Sequence, residues 1–368
     1  MRSAGVGFWA PFGVLLLAGV LQSLAALFPW SIERLYARGF YPQMLKALSA
    51  FSRGFSFSVG EVILTTLLAA AVAGVVGLCV LLFARRGDRA RLLKTCARFV
   101  VWVGAASLWA FLFAFGLNYQ RPLLFELLGY EQRSADASEL AALGEEIVRG
   151  VNESYDEAHA EGRMTLRADE VVGLLNESYA SARELALLPR GDFAEPKPVY
   201  FSGLLTRLGI SGVYFPFTGE PNYNAEAPDF QMPFALAHEM AHQRGVARES
   251  EANFVAYLVC VNSRDPFVRY SGYRGGLGVL AELNRVAPER AKELAARLGP
   301  GYREDSRRAA LFWARAAGAA GALSQRFNDL YLRANRVRAG VKDYSGSTAL
   351  IIGHYLRRKS HGDAAPAR

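Results

Sequence analysis

Apolar and polar positions are unevenly spread along this chain. Long apolar runs crowd the first 120 residues, and a charged, Ala- and Leu-rich pattern follows. Three runs, at roughly residues 6–28, 59–84 and 99–117, are long enough to cross about 30 Å of hydrocarbon as helices rising about 1.5 Å per residue. None carries a polar face, which argues against buried helices of a soluble domain. The first run is too long for a signal-peptide core, and no small-residue cleavage site follows it. The pattern therefore predicts a membrane region over 1–117 with three transmembrane helices.

From about Asn118 the period changes. Segments near 136–160 and 168–188 are amphipathic at helical spacing. They share a near-repeat, VNESYDEA against LNESYASA, but one pair is too little for a solenoid. Residues 196–224 are rich in Gly, Pro, aromatic and β-branched residues, which predicts a short strand or loop segment. Helices are expected to return through about residue 339, with turns at Gly272–Gly276 and near Pro300–Gly301. The expectation is a mainly α, mostly helical domain over 118–358 and a disordered tail over 359–368, KSHGDAAPAR.

Composition sharpens this reading. The chain is 52% hydrophobic and 21% charged, with a formal net charge of +8. The basic residues form no continuous stripe, so nucleic acid is not an expected partner. Many flank the apolar runs instead. Arg85, Arg86, Arg89, Arg91, Lys94 and Arg98 crowd the loop between the second and third runs, and positive charge in short loops stays cytoplasmic. That places the amino terminus inside, where Arg2 agrees, and everything after Leu117 outside. Arg34 and Lys46 in the first loop weaken the bias without reversing it. The expected location is a cytoplasmic (inner) membrane, multi-pass, with an extracytoplasmic domain. Cys79, Cys96 and Cys260 lack CxxC spacing, which disfavours both a disulfide framework and a thiolate metal site.

The chemistry lies in MPFALAHEMAHQRGVARESEANFVAYLVC, Met232 to Cys260. Pro233 suits the first turn of a helix and Gly245 its end. Between them His238 and His242 stand four residues apart, so both imidazoles leave one face and can grip one zinc ion. Glu239 points around the helix, placed to act as general base on a zinc-activated water. Ala237, Met240 and Ala241 supply the packing surface of a buried helix. His-Glu-x-x-His arises by accident in a chain of this length only about once in a hundred.

A catalytic zinc site needs a third protein ligand. If a second helix starts near Arg248, Glu249 and Asn253 share a face. Glu249 is then the favoured ligand, with Asn253 hydrogen-bonding a ligand histidine. Glu251 is the alternative ligand; it lies about 200° around the helix from Glu249, so only one of them can face the metal. Phe254, Tyr257 and Leu258 read as core packing.

HEMAH followed by ESEAN resembles the gluzincin arrangement, in which HExxH precedes a glutamate on a later helix, here with a short step from His242 to Glu249. A broader likeness rests on GLNYQRPLL, GISGVYFPFTGEPNYN, HEMAHQRGVARESEANFVAYLVC and NDLYLRANRVRAGVKDYS, together with the amino-terminal spans. These resemble the bacterial membrane family named domain of unknown function 3810, which is presumed to be metallopeptidase-like. The resemblance implies a zincin-like domain with a short strand segment before the HExxH helix.

Weaker candidates surround this motif. Tyr214, Asn222, Tyr223 and Asn224 could offer a strand edge to an extended substrate, or belong to a plain loop. Tyr257, Tyr270 and Tyr273 are oxyanion-donor candidates but read better as packing. His159, His354 and His361 read as surface residues, and Tyr331 to Asn335 could pack against the site. The expected function is zinc-dependent peptide hydrolysis at a membrane, on a peptide or protein substrate. The alternative is a non-catalytic membrane sensor or scaffold retaining a zinc site. A transporter is disfavoured, because the apolar runs hold almost no ionisable group besides Glu61.

Overall fold

The computed structural model describes residues 6–84, 88–130, 133–316 and 318–362. Arg2, Arg85, Arg86 and the tail residues 363–368 lie outside the described residues. The chain is mainly helical, with three apolar amino-terminal helices long enough to cross a membrane. They run over Val6–Leu27, Val59–Ala84 and Arg89–Ala114. The third starts ten residues before the expected Phe99, because its first turns carry the basic loop residues on helix. It also stops short of Leu117: the chain turns off after Ala114 into a 3-10 segment, Gly116–Gln120. The first and third spans are tied by the Trp109 indole, which donates to Val14 O at 3.0 Å.

Residues between the first two spans are not confined to a bilayer. The π-helical segment Ile32–Phe40 and the helix Tyr41–Ser52 pack beneath the domain that follows the third span. Glu33 is buried there and pairs with Arg121 at 2.6 Å. Arg121 in turn donates to Gly245 O at 2.8 Å. The second span is fastened at its start. Buried Glu220 accepts from the Val59 and Gly60 amides at 3.2 and 2.8 Å and pairs with Lys197 at 2.6 Å. Glu61 accepts from the Tyr200 and Phe201 amides at 2.8 and 2.9 Å.

The domain core is built around the helix Glu249–Val261. Phe254, Val255, Ala256, Val259 and Cys260 on it are fully buried, so it is covered on all sides. Its cover consists of the helices Met232–Gln243, Pro266–Gly276 and Ser347–His361, with Ala137–Ala160 outside the second of these. The expected turn at Gly272–Gly276 is instead the end of a continuous helix. These glycines serve packing: a side chain at Gly272 would lie 2.6 Å from Cys260 Cβ, so the two helices cross at backbone distance. The second amphipathic segment ends earlier than expected, at Ser181, where a 3-10 turn over Arg183–Leu187 replaces the helix.

The 196–224 segment holds both strands and a helix. β1 (Lys197–Pro198), β2 (Gly212–Phe215) and β3 (Glu220–Tyr223) form a sheet of order β1-β3-β2, and the helix Ser202–Leu208 lies between β1 and β2. β2 runs antiparallel to β3, with Gly212 opposite Tyr223, and its other edge is free of strand partners among the described residues.

Past residue 339 a helix unforeseen in the sequence, Ser347–His361, closes the core and extends into the segment expected to be disordered. It carries His354, which is buried rather than on the surface and bonded through Nδ1 to Tyr130 Oη at 3.0 Å. Burial, with Arg358 and Arg357 nearby, holds this imidazole down to about 3. Because the folded value lies below the ordinary 6.5, the unfolded chain binds the extra proton first as pH falls. The stabilisation is whole above about pH 6.5 and drains towards pH 3, at about 1.4 kcal/mol per pH unit. Melting curves between pH 7 and 4 will show His354→Gln losing less stability over this window than the parent; equal losses would contradict it.

Candidate metal centre

The helix Met232–Gln243 starts as the sequence predicts, with Pro233 in its first turn, where a missing N–H costs nothing. It ends at Gly245, whose φ of +82° suits a residue without a side chain and reverses the chain into the next helix. Leu236, Ala237, Met240 and Ala241 are buried. Polar contacts fix the helix from three sides. Tyr179 Oη donates to Ala237 O at 2.8 Å, Tyr41 Oη donates to Gln243 O at 2.9 Å, and Gln243 Nε2 donates to Ala194 O and Gly219 O at 2.8 and 2.9 Å.

Arg248 caps the following helix, which begins at Glu249, one residue from the expected start. That register swings Glu249 back towards the two imidazoles. Its Oε2 lies 3.1 Å from His238 Nε2 and 3.4 Å from His242 Nε2. The rings stand 4.6 Å apart at 87°, and the three candidate ligand atoms fall within 4.8 Å of one another.

The outer ring nitrogens are committed elsewhere. His242 Nδ1 donates to Val246 O at 2.7 Å; a carbonyl only accepts, so in the neutral ring the lone pair sits on Nε2. His238 Nδ1 lies 2.8 Å from Asn253 Oδ1, one helical turn past Glu249. Asn253→Ala is expected to weaken zinc affinity about 10- to 100-fold through loss of this orientation. Competition against a fluorescent chelator will measure it, and an unchanged affinity would remove Asn253 from the site.

Glu251 goes elsewhere. Its Oε1 accepts from the Leu124 amide at 2.8 Å and lies 3.6 Å from Arg248 Nη1, where it holds the segment after the third span. Glu249 alone of the two meets the histidines.

Glu239 is buried beside the pair. Burial pushes its carboxyl above the usual range, while His238 and His242 pull it back. The nearby Tyr214 amide of β2 pulls it the same way as the imidazoles, more weakly. Gly212 makes that approach possible, because a Cβ there would sit 2.7 Å from the Glu239 carboxylate. Burial also pushes Glu249 up, but the two imidazoles outweigh it and hold its carboxyl well below the usual range. His242 responds in the opposite sense: burial pushes it down, yet Glu249 and Glu239 lift it to about 9. The cluster draws positive charge to its centre.

A cleft of about 1030 Å³ opens over these groups. Its walls include Ser211, Gly212 to Tyr214 of β2 and Tyr331 of the helix Ala319–Ala334. They also include Phe111 and Phe115 at the end of the third span, the Phe115 ring 6.2 Å edge-on from His242. Tyr119 Oη donates to Tyr331 Oη at 3.2 Å.

Among the weaker candidates, Tyr214 and Tyr331 line the cleft. Asn222 is buried and donates to Glu220 O, Asn224 bonds Thr206 and Ile210, and Tyr223 packs against the core. Tyr257, Tyr270 and Tyr273 sit in the core away from the cleft, Tyr270 bonding Asp305. His159 and His361 are exposed. Sequence reasoning missed Phe111, Phe115 and Tyr119, which lie beside the histidine–glutamate cluster only through the fold.

A family model described as protein of unknown function (DUF3810) matches residues 36–352. The chain belongs to this family. No curated protein and no solved structure matches it. The DUF3810 match takes in the helix carrying Tyr41, the second and third spans, the sheet and the whole histidine–glutamate cluster. What makes this DUF3810 chain chemically distinctive is therefore inside the family's shared extent.

Proposed function

We propose that this protein is a membrane-anchored zinc hydrolase, a peptidase by preference, with a zincin-like, gluzincin-type site. The observation that carries the reading is the convergence of His238, His242 and Glu249 beside a buried Glu239. Donor atoms about 2.0–2.1 Å from a tetrahedral zinc stand roughly 3.3–3.4 Å apart, and the Glu249–histidine separations of 3.1 and 3.4 Å bracket that value. The donor set of two neutral imidazole nitrogens and one carboxylate suits zinc and leaves a fourth position open. Zinc held there would polarise a carbonyl and lower the pKa of a water to about 7.

The chain's own groups supply the rest. Glu239 takes the proton of the attacking water, its raised affinity matched to that task. The free edge of β2 gives an extended peptide backbone a partner alongside Glu239. Tyr331, which accepts from Tyr119, keeps its own proton for an oxyanion in the cleft. A purely structural zinc site needs neither a buried carboxylate nor an open cleft beside the metal, which disfavours the sensor alternative.

The test has two parts. Purified protein should carry about one zinc per chain by mass spectrometry of the metal, and His238→Ala should lose it. Chelation should stop cleavage of a randomised peptide library and zinc should restore it. A zinc-loaded protein that cuts no peptide would overturn the peptidase reading.

A further inference from the structure

The metal cleft is built against the ends of the membrane spans, and one of its walls turns an apolar face outward. In the helix Ala319–Ala334, Leu323, Phe327 and Leu330 are 54%, 63% and 64% exposed. At about 100° per residue these positions fall in one stripe about 60° wide. Leu332, about 180° away, is fully buried and anchors the helix to the protein. Ser324, Asn328 and Tyr331 occupy the flank facing the cleft. The same helix thus borders the cleft on one side, and none of the described residues covers its apolar stripe.

Its position says what covers that stripe. The carboxyl end of the helix is bonded to the first span: Gln22 Nε2 donates to Ala334 O at 3.3 Å, and Arg336 Nη2 donates to Ser23 Oγ at 2.9 Å. Tyr331 packs edge-on against Phe111 of the third span, ring centres 5.9 Å apart. On the third span the last basic residue is Arg98. From Arg98 the helix runs on to Ala114, about 16 residues, or about 24 Å of the roughly 30 Å of hydrocarbon. Phe111 and Phe115 therefore stand in the far half of the bilayer, and the His242 ring beside Phe115 lies towards its far edge. Across the cleft mouth, exposed Phe217 continues the apolar rim.

We infer that the 319–334 helix lies in the bilayer surface, its Leu323–Phe327–Leu330 stripe covered by lipid, so that the cleft opens at the membrane and takes polypeptides anchored in that membrane. The covering surface is continuous with the spans, and an apolar stripe beside polar and charged flanks is the form such helices take. An anchored chain reaches the free edge of β2 without leaving the surface, and tethering raises its local concentration at the site. The substrate part rests on the hydrolase reading; the placement of the helix does not.

Two measurements separate these parts. A single cysteine at Phe327→Cys, in protein with Cys79 and Cys96 replaced by alanine and reconstituted in phosphatidylcholine–phosphatidylglycerol nanodiscs, is labelled with an environment-sensitive fluorophore. Nitroxide-labelled lipid should quench it strongly, and should spare the same label at Lys292→Cys on an exposed helix. No quenching at position 327 would overturn the placement. Randomised decapeptides are then presented either on a palmitoyl chain in the same nanodisc or free in solution. Cleavage of the tethered form should be faster by about tenfold or more. Equal rates would overturn the substrate assignment, and no cleavage of either form by zinc-loaded protein would overturn the hydrolase reading beneath it.

Discussion

Glu239→Gln should leave zinc bound and lower peptide turnover by about 10²- to 10⁴-fold, the usual contribution of a positioned general base. Glutamine keeps the shape, so the close contact at Gly212 is preserved. What it loses is the ability to take a proton. The metal residues are untouched, since Glu239 is not among the convergent donors His238, His242 and Glu249. Metal analysis and cleavage rates on the same preparation will check this. A variant that retains zinc and the parent rate would show that the carboxylate has another purpose, and Glu239 would lose its place as the general base.

Arg121→Met should be among the most destabilising single changes available outside the metal cluster. Arg121 and Glu33 are both buried, and the pair is 2.6 Å apart. Removing one partner of such a pair leaves a charge stranded in a low-dielectric interior and typically costs about 3–5 kcal/mol. Arg38, at 2.7 Å from Glu33 but largely exposed, offsets only part of that. The loss reaches the site, because Arg121 also holds Gly245 O, in the turn between the histidine helix and Glu249. Proteolysis of the detergent-solubilised protein across a denaturant series should show the drop, and the double variant Glu33→Gln with Arg121→Met should recover part of it. A single variant as stable as the parent would show that Glu33 is well satisfied without its arginine.

The convergence of His238, His242 and Glu249 was legible because its logic is local. His238 and His242 are a helical turn apart, and the face taken by Glu249 follows once the next helix starts beside Arg248. Asn253 follows from the same turn. The apolar runs were legible for a similar reason, since length and the absence of polar residues suffice. What escaped depends on contacts between distant parts of the chain. Nothing near Tyr41 in sequence announces that its hydroxyl will bond Gln243 O, 202 residues away. Gly272 to Gly276 carry the composition of a turn, and only the crossing with Cys260 and Tyr257 explains why they are helical. His354 lacks a partner in sequence because its partner, Tyr130, is 224 residues distant. The strands were visible only as a change of composition, being four residues or fewer each.

The residues between the first two spans have a practical consequence. Shearing the chain at Asn118 to obtain a water-soluble piece with the histidine–glutamate cluster would discard Glu33 and Tyr41 along with the apolar helices. Arg121 would then be left inside without its counter-ion, and the Gln243 carbonyl without the Tyr41 hydroxyl. The apolar helices and the domain that carries the histidines are one folding unit, and any preparation that keeps the histidines in place must carry its lipid or detergent with it.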